Sequence, residues 1–64
     1  MPYANFAMAH SLLGIAYSNR GSALTSKGEY DRAIADYNKA LELDPKYISA
    51  YISRGNVYHN NKQN

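Results

Sequence analysis

At 64 residues the chain has room for one small domain, and folding would hide only about 60% of its unfolded surface. With no cysteine it has no disulfide, Cys-based zinc site or thiol redox centre to compensate for a thin core. Seven Lys and Arg against five Asp and Glu leave a formal charge of +2, too small and too dispersed to indicate a nucleic-acid partner, while 45% hydrophobic residues describe an ordinary soluble globular segment.

From the N-terminus, His10, Leu13, Gly14, Tyr17, Arg20 or Gly21, and Leu24 follow the i, i+3, i+4, i+7 spacing of a helix face. No proline interrupts them, so one long helix over about residues 5–26 is the simplest reading. Gly14 and Gly21 each cost about 1 kcal/mol relative to Ala in a helix interior, and glycines that expensive mark close helix packing. The apolar run Leu12-Leu13-Gly14-Ile15-Ala16 is far below the roughly 20 residues that span a bilayer. No signal-type basic and hydrophobic opening precedes it, so the expectation is a cytoplasmic chain with no membrane partner.

Gly28 marks a turn, after which Ala33, Ile34, Tyr37, Ala40 and Leu41 form the apolar stripe of a second helix over about residues 30–43. Arg32, Asp36, Asn38, Lys39 and Glu42 take its solvent face. Asp44-Pro45 ends it, because the residue before a proline is pushed out of helical geometry, and the same pair reads as N-cap and first turn of a third helix over about residues 45–60. Ala50, Tyr51, Gly55 and Tyr58 share one face of that helix, and the polar tail from Asn60 to Asn64 is expected to fray.

The segment Ala16-Tyr17-Ser18-Asn19-Arg20-Gly21 recurs 34 residues later as Ala50-Tyr51-Ile52-Ser53-Arg54-Gly55. Together with Leu24, the small residues Ala33 and Ala40, the ring of Tyr37 and the terminating Pro45, this resembles a tetratricopeptide repeat (TPR). The resemblance implies an all-α fold: antiparallel helix-turn-helix units in a fragment of a right-handed superhelix, here three helices. It divides the chain into an extension of the first helix (1–13), one repeat (14–47) and the first helix of a second, incomplete repeat (48–64). Arg20 and Arg54 replace the leucine usual beside the small residue, and their stems are expected to pack while the guanidinium groups reach solvent. A second register, seven residues earlier, also fits His10, Leu13, Gly14 and Tyr17. It leaves two options, an extended first helix or a chain that slips between two pairings, and the fit of everything after Gly28 weighs toward extension.

Nothing points to catalysis. Ser11, Ser18, Ser22, Thr25 and Ser26 are helical polar residues without a base and an orienting partner. His10 and His59 lack the three or four converging ligands of a metal site, so neither metal nor cofactor is expected. The small and aromatic repeat slots account for much of the excess of seven tyrosines, which lowers the weight of a base-stacking surface.

The resemblance implies a non-enzymatic protein-interaction module that holds a peptide on the concave surface lined by the first helices. Carried over by position, that surface is Ser18, Asn19, Ser22 and Thr25 with Ser49, Ile52, Ser53, Asn56 and His59. Asn19, Ser22, Ser53, Asn56 and His59 are its candidate peptide-binding residues, since side-chain amides bond a peptide backbone in both directions. A plain solvated face is the competing reading. The lysines of a carboxylate clamp are missing, which disfavours acidic C-terminal peptides.

Repeat units bury their apolar faces on neighbours, and about three make a stable stack. One and a half repeats therefore predict a homodimer, with helix exchange as one route, through His10, Leu13 and Tyr17 at the front and Tyr51, Val57 and Tyr58 on the uncovered third helix. The alternative is a truncated structural fragment of a larger TPR protein with no ligand of its own.

Overall fold

The computed structural model describes Pro2–Gln63, with side chains described over residues 6–62. Three helices follow one another: α1 (Pro2–Ser26), α2 (Tyr30–Leu43) and α3 (Ile48–Gln63). The 48 × 18 × 13 Å envelope is elongated because α1, at 25 residues, far outruns the 14 residues of α2.

The turn at Gly28 ends α1 for a backbone reason. Gly28 has φ +79°, the left-handed region open to a residue without Cβ. In that conformation the Glu29 N–H donates to Leu24 O at 2.9 Å and the Gly28 N–H to Thr25 O at 3.0 Å, the paired bonds of a Schellman cap. The chain reverses and α2 runs back antiparallel to α1. Its own end, at Leu43, falls where expected, and the difference lies in what Asp44 does next. Asp44 is extended (φ −141°, ψ 93°) and accepts the Lys46 N–H on Oδ1 at 3.1 Å and the Tyr47 N–H on its carbonyl at 3.1 Å. Asp44 is thus spent on an Asx-type turn through Pro45 and is not the N-cap of the next helix. α3 starts at Ile48, three residues later than predicted, and runs through Gln63, past the predicted end near Asn60.

α2 is the centre of the molecule. It supplies Ala33, Tyr37, Ala40 and Leu41 to a core that Leu24 joins from α1 and Ala50 and Val57 from α3, with Tyr17, Tyr30, Ile34 and Tyr47 packed around it. α1 and α3 both lie against α2 and touch one another only marginally. The fully buried Ala33, Ala40 and Ala50 let the helix backbones approach, and the larger side chains fill the space between them. Val57, expected to wait uncovered for a partner, is 1% exposed. The periodicity of α3 places Ala50 and Val57 seven residues apart on the side facing α2, leaving Tyr51, Gly55 and Tyr58 outside.

The two costly glycines of α1 are the crossing points. A Cβ on Gly21 would lie 3.0–3.2 Å from three ring carbons of Tyr37, and one on Gly14 would lie 3.4 Å from Ala40 O, with Leu43 and Asp44 next to it. α1 is continuous through both, as the extended-helix reading expects. Gly14 meets the C-terminal end of α2, so the part of α1 before it projects past its partner.

Asp36 departs from its expected place on the solvent face. Its side chain is only 8% exposed because Arg20 reaches across from α1 and forks onto it, Nε donating to Oδ2 at 2.6 Å and Nη2 to Oδ1 at 2.8 Å. Two parallel charge-assisted bonds satisfy both carboxylate oxygens and fix the register of α1 on α2. Arg20 itself is 63% exposed, so its guanidinium caps the carboxylate from the solvent side. These hydrogen bonds hold the Asp36 carboxyl below the usual carboxylate range, against the opposing effect of its burial.

Because the folded Asp36 carboxyl is the stronger acid, its contribution to stability is fully present above about pH 4, the unfolded value, and is lost as pH falls through the lower folded value. Urea midpoints measured from pH 7 to pH 2 are expected to fall less steeply in Asp36→Asn than in the parent chain, from a lower starting value. Thermal unfolding should separate the glycines. Gly55→Ala, where no atom lies within 4 Å of the new methyl, is expected to stabilise by about 0.5–1 kcal/mol through helix propensity. Gly21→Ala is expected to destabilise, since about 1–3 kcal/mol of overpacking against the buried Tyr37 ring outweighs that gain.

Candidate functional site

The 34-residue repeat makes α1 and α3 carry the same face twice, and the structure shows it in two states. On α1, Tyr17, Arg20, Gly21 and Leu24 meet α2. The Arg20 guanidinium lies 5.6 Å from the Tyr17 ring centroid, its fork holds Asp36, and Tyr37 sits on Gly21. On α3, Arg54 lies 5.2 Å from the Tyr51 ring centroid, the same stack, but its Nη1 donates to the neutral amide oxygen of Asn38 at 2.8 Å. Gly55 has no atom within 4 Å of a would-be Cβ. Tyr51 and Tyr58 are each 46% exposed. Both arginines therefore do more than expose their ends: each ties its helix to α2, Arg20 by charge and Arg54 by an amide.

The residues that the resemblance assigned to a concave surface differ in exposure. Asn19 and Ser22 of α1 and Asn56 and His59 of α3 face solvent, and Ser53 is half-buried. The side chains of Asn19, Ser22 and Asn56 make no hydrogen bond to another described residue, so the structure does not bind them into one pre-formed cluster. Ser18 is buried, and the half-buried Thr25 gives its hydroxyl to Gly21 O at 2.8 Å; neither presents a group to a ligand there. Of the self-association residues, His10 stacks on Phe6 at 4.5 Å between ring centroids, Leu13 is exposed, and Tyr17 is half-buried beside the core. Leu13, Ala16, Tyr17 and Arg20 line an open depression on α1.

Sequence reasoning missed much of the apolar surface. Phe6, Met8, Leu12 and Ile15 on α1 and Ile48 on α3 are all exposed, as is Ile52, which the sequence had already placed on the surface. A signal for the first group stood in the sequence, since no Lys, Arg, Asp or Glu occurs before Arg20. Among the described residues no group of three or more His, Cys, Asp or Glu is placed to hold a metal ion, and no helix is long and apolar enough to cross a membrane.

Comparison with known proteins agrees with this architecture. The family model described as TPR repeat matches residues 21–62, spanning the C-terminal part of α1, all of α2 and nearly all of α3. Tetratricopeptide repeat protein 6 of Homo sapiens is 37% identical over 59 residues, covering 92% of this chain and 11% of that protein. A Protein SGT1 homolog of Oryza sativa subsp. japonica is 46% identical over 39 residues, covering 61% of this chain and 11% of that protein. Serine/threonine-protein phosphatase T of Aspergillus oryzae is 53% identical over 38 residues, covering 59% of this chain and 8% of that protein. The chain thus spans about a tenth of the length of these curated relatives. No solved structure gives a significant match. The 34-residue repetition, the Gly21–Tyr37 crossing and the family match over residues 21–62 together place this chain in the tetratricopeptide repeat family.

Proposed function

We propose that the chain is a non-enzymatic protein-interaction module that completes its core by pairing with a second copy. The observation that carries this reading is the distribution of large apolar side chains. Phe6, Met8, Leu12 and Leu13 project on the part of α1 that outruns α2, and Ile48, Tyr51, Ile52 and Tyr58 on the outside of α3. Scattered exposed apolar residues are normal, but two such groups on one small chain mark contact surfaces. Residues 1–13 serve as the docking extension, 14–47 as the complete repeat and 48–64 as the first helix of the next. His10, Leu13 and Tyr17 mark the front contact, Tyr51 and Tyr58 the rear one, and Val57 belongs to the inner core.

A peptide site on Asn19, Ser22, Ser53, Asn56 and His59 is the accompanying proposal. It is supported by the family's use of first helices and by the solvent-facing amides of Asn19 and Asn56. The competing reading, a structural segment with no ligand of its own, accords with the small share of each relative that the chain covers.

Light scattering during size-exclusion chromatography, over a micromolar dilution series, tests the pairing. A dimer is expected, and Leu13→Arg, at an exposed position, should raise its dissociation constant at least about tenfold without loss of helicity. A folded monomer at every concentration would sink the pairing. For the peptide site, titration of isotope-labelled protein with a peptide library is expected to move the side-chain amides of Asn19 and Asn56; unmoved amides would leave only the structural reading.

A further inference from the structure

We infer that α1 carries two registers for α2, seven residues apart, and that the Arg20–Asp36 ion pair is the latch that holds the chain in the one observed. The slide it prevents brings Gly14 to the place of Gly21 and draws part of the front contact surface into the core.

Gly14 is the residue that the observed packing leaves unexplained. At Gly21 a glycine is required, because the Tyr37 ring lies 3.0–3.2 Å from where a Cβ would stand. A Cβ on Gly14 would meet Ala40 O at 3.4 Å and the Leu43 Cβ at 3.8 Å, ordinary van der Waals distances that an alanine tolerates. A glycine in mid-helix lowers helix stability, and in this register no neighbour demands the one at 14. A slide of α1 by two turns gives it a use. Gly14 then passes under the Tyr37 ring, while Leu13 moves to the place of Arg20, Tyr17 to that of the buried Leu24 and His10 to that of Tyr17. Gly21 moves to the place of Gly28, whose φ of +79° suits a residue without Cβ. The seven-residue spacing of Gly14, Gly21 and Gly28 lets each of the first two take the role of the next.

Backbone and apolar packing discriminate little between the two registers. Residues 22–28 leave the helix and lengthen the turn, and the entropy of closing a loop rises only slowly with its length. A ring meets a glycine at the crossing in both, and a large side chain fills the place of Leu24 in both. Charge does discriminate. In the observed register the buried Asp36 carboxylate has both oxygens held by Arg20, Nε at 2.6 Å and Nη2 at 2.8 Å. After the slide the uncharged Leu13 stands in the place of Arg20, and α1 has no Lys or Arg before Arg20 to replace it. Arg32, one turn away on α2, is bonded to Glu29. The carboxylate would then be buried without a partner, which is strongly unfavourable. Leu13 and Tyr17 belong to the front contact, so the slide withdraws that contact from solvent; this consequence alone rests on the pairing proposed above.

The chain has no cysteine, so Ala9→Cys and Asp31→Cys, both at exposed positions, place spin labels at two sites only. Labelled chain is diluted into unlabelled chain, and electron paramagnetic resonance then reads the distance within one molecule. The parent chain is expected to give one distance. Asp36→Leu, which removes the charge and sets an apolar side chain against Leu13, is expected to add a second that is shorter by about 10 Å, the rise of seven helical residues. Arg20→Leu should add the same distance in a smaller share, since Asp36 is then unpaired in both registers. Gly14→Ala on either background should abolish the short distance, because its methyl fits where Gly14 now lies but strikes the Tyr37 ring after the slide. With circular dichroism showing a helical chain, a single distance in both variants overturns the inference, as does a short distance that survives Gly14→Ala. Loss of helix in both variants overturns it as well, since the pair would then hold the fold and not its register. Light scattering reads the consequence separately: Asp36→Leu is expected to weaken the dimer about tenfold and Gly14→Ala to restore it. A chain that slides but never pairs keeps the latch and removes the pairing.

Discussion

The seating of the Tyr37 ring on Gly21 is the contact on which the rest of the fold depends. A helix presenting a side chain at that point would hold α2 away, and Ala33 and Ala40 could not then be fully buried. The close approach also brings Asp36 within reach of Arg20, since the residue beside the ring is carried to the same crossing. Apolar packing sets the distance between the helices, and the paired charges set how far one is slid along the other. With a core this thin neither is dispensable.

From that crossing the architecture propagates in one direction. α2 is covered on one side by α1 and on the other by α3, and α3 is held by Ala50 and Val57 rather than by the face it shares with α1. The same residues viewed 34 positions earlier complete the logic. Ala16 and Ala23, the counterparts of Ala50 and Val57, are exposed, while Tyr17, Arg20 and Gly21 are engaged. Each of these helices thus has two usable faces and fills one of them, α1 at its rear and α3 at its front. A repeat protein owes its binding capacity to this arrangement, because a face that packs in one copy of the unit is available in the next.

Helix identity and the core were largely legible in the residues. The spacing of Ala33, Tyr37, Ala40 and Leu41, the turn at Gly28, and the close-packing role of Gly14 and Gly21 all follow from local pattern and from the cost of glycine in a helix. The front apolar surface was only partly read, because Met8, Leu12 and Ile15 fall off the stripe that pattern reasoning follows, and Phe6 extends that stripe one turn before the His10 at which it was begun. Asp36 was assigned to solvent for a related reason: binary patterning sorts residues by polarity, and it has no place for a carboxylate whose burial is made possible by an arginine sixteen residues away.

The sequence by itself determined that this protein is helical, repeats every 34 residues and carries glycines where helices cross, since these are matters of spacing, propensity and steric size within a few turns of chain. Only the tertiary structure decided which face of each helix is used. The side of α3 that Ala50 and Val57 present to α2 depends on contacts between residues distant in sequence. The short length that first suggested a core waiting for its missing half takes a more specific form in three dimensions. Val57 is enclosed, and what stands open is the Tyr51, Arg54, Gly55 and Tyr58 face, together with the length of α1 that has outrun its partner.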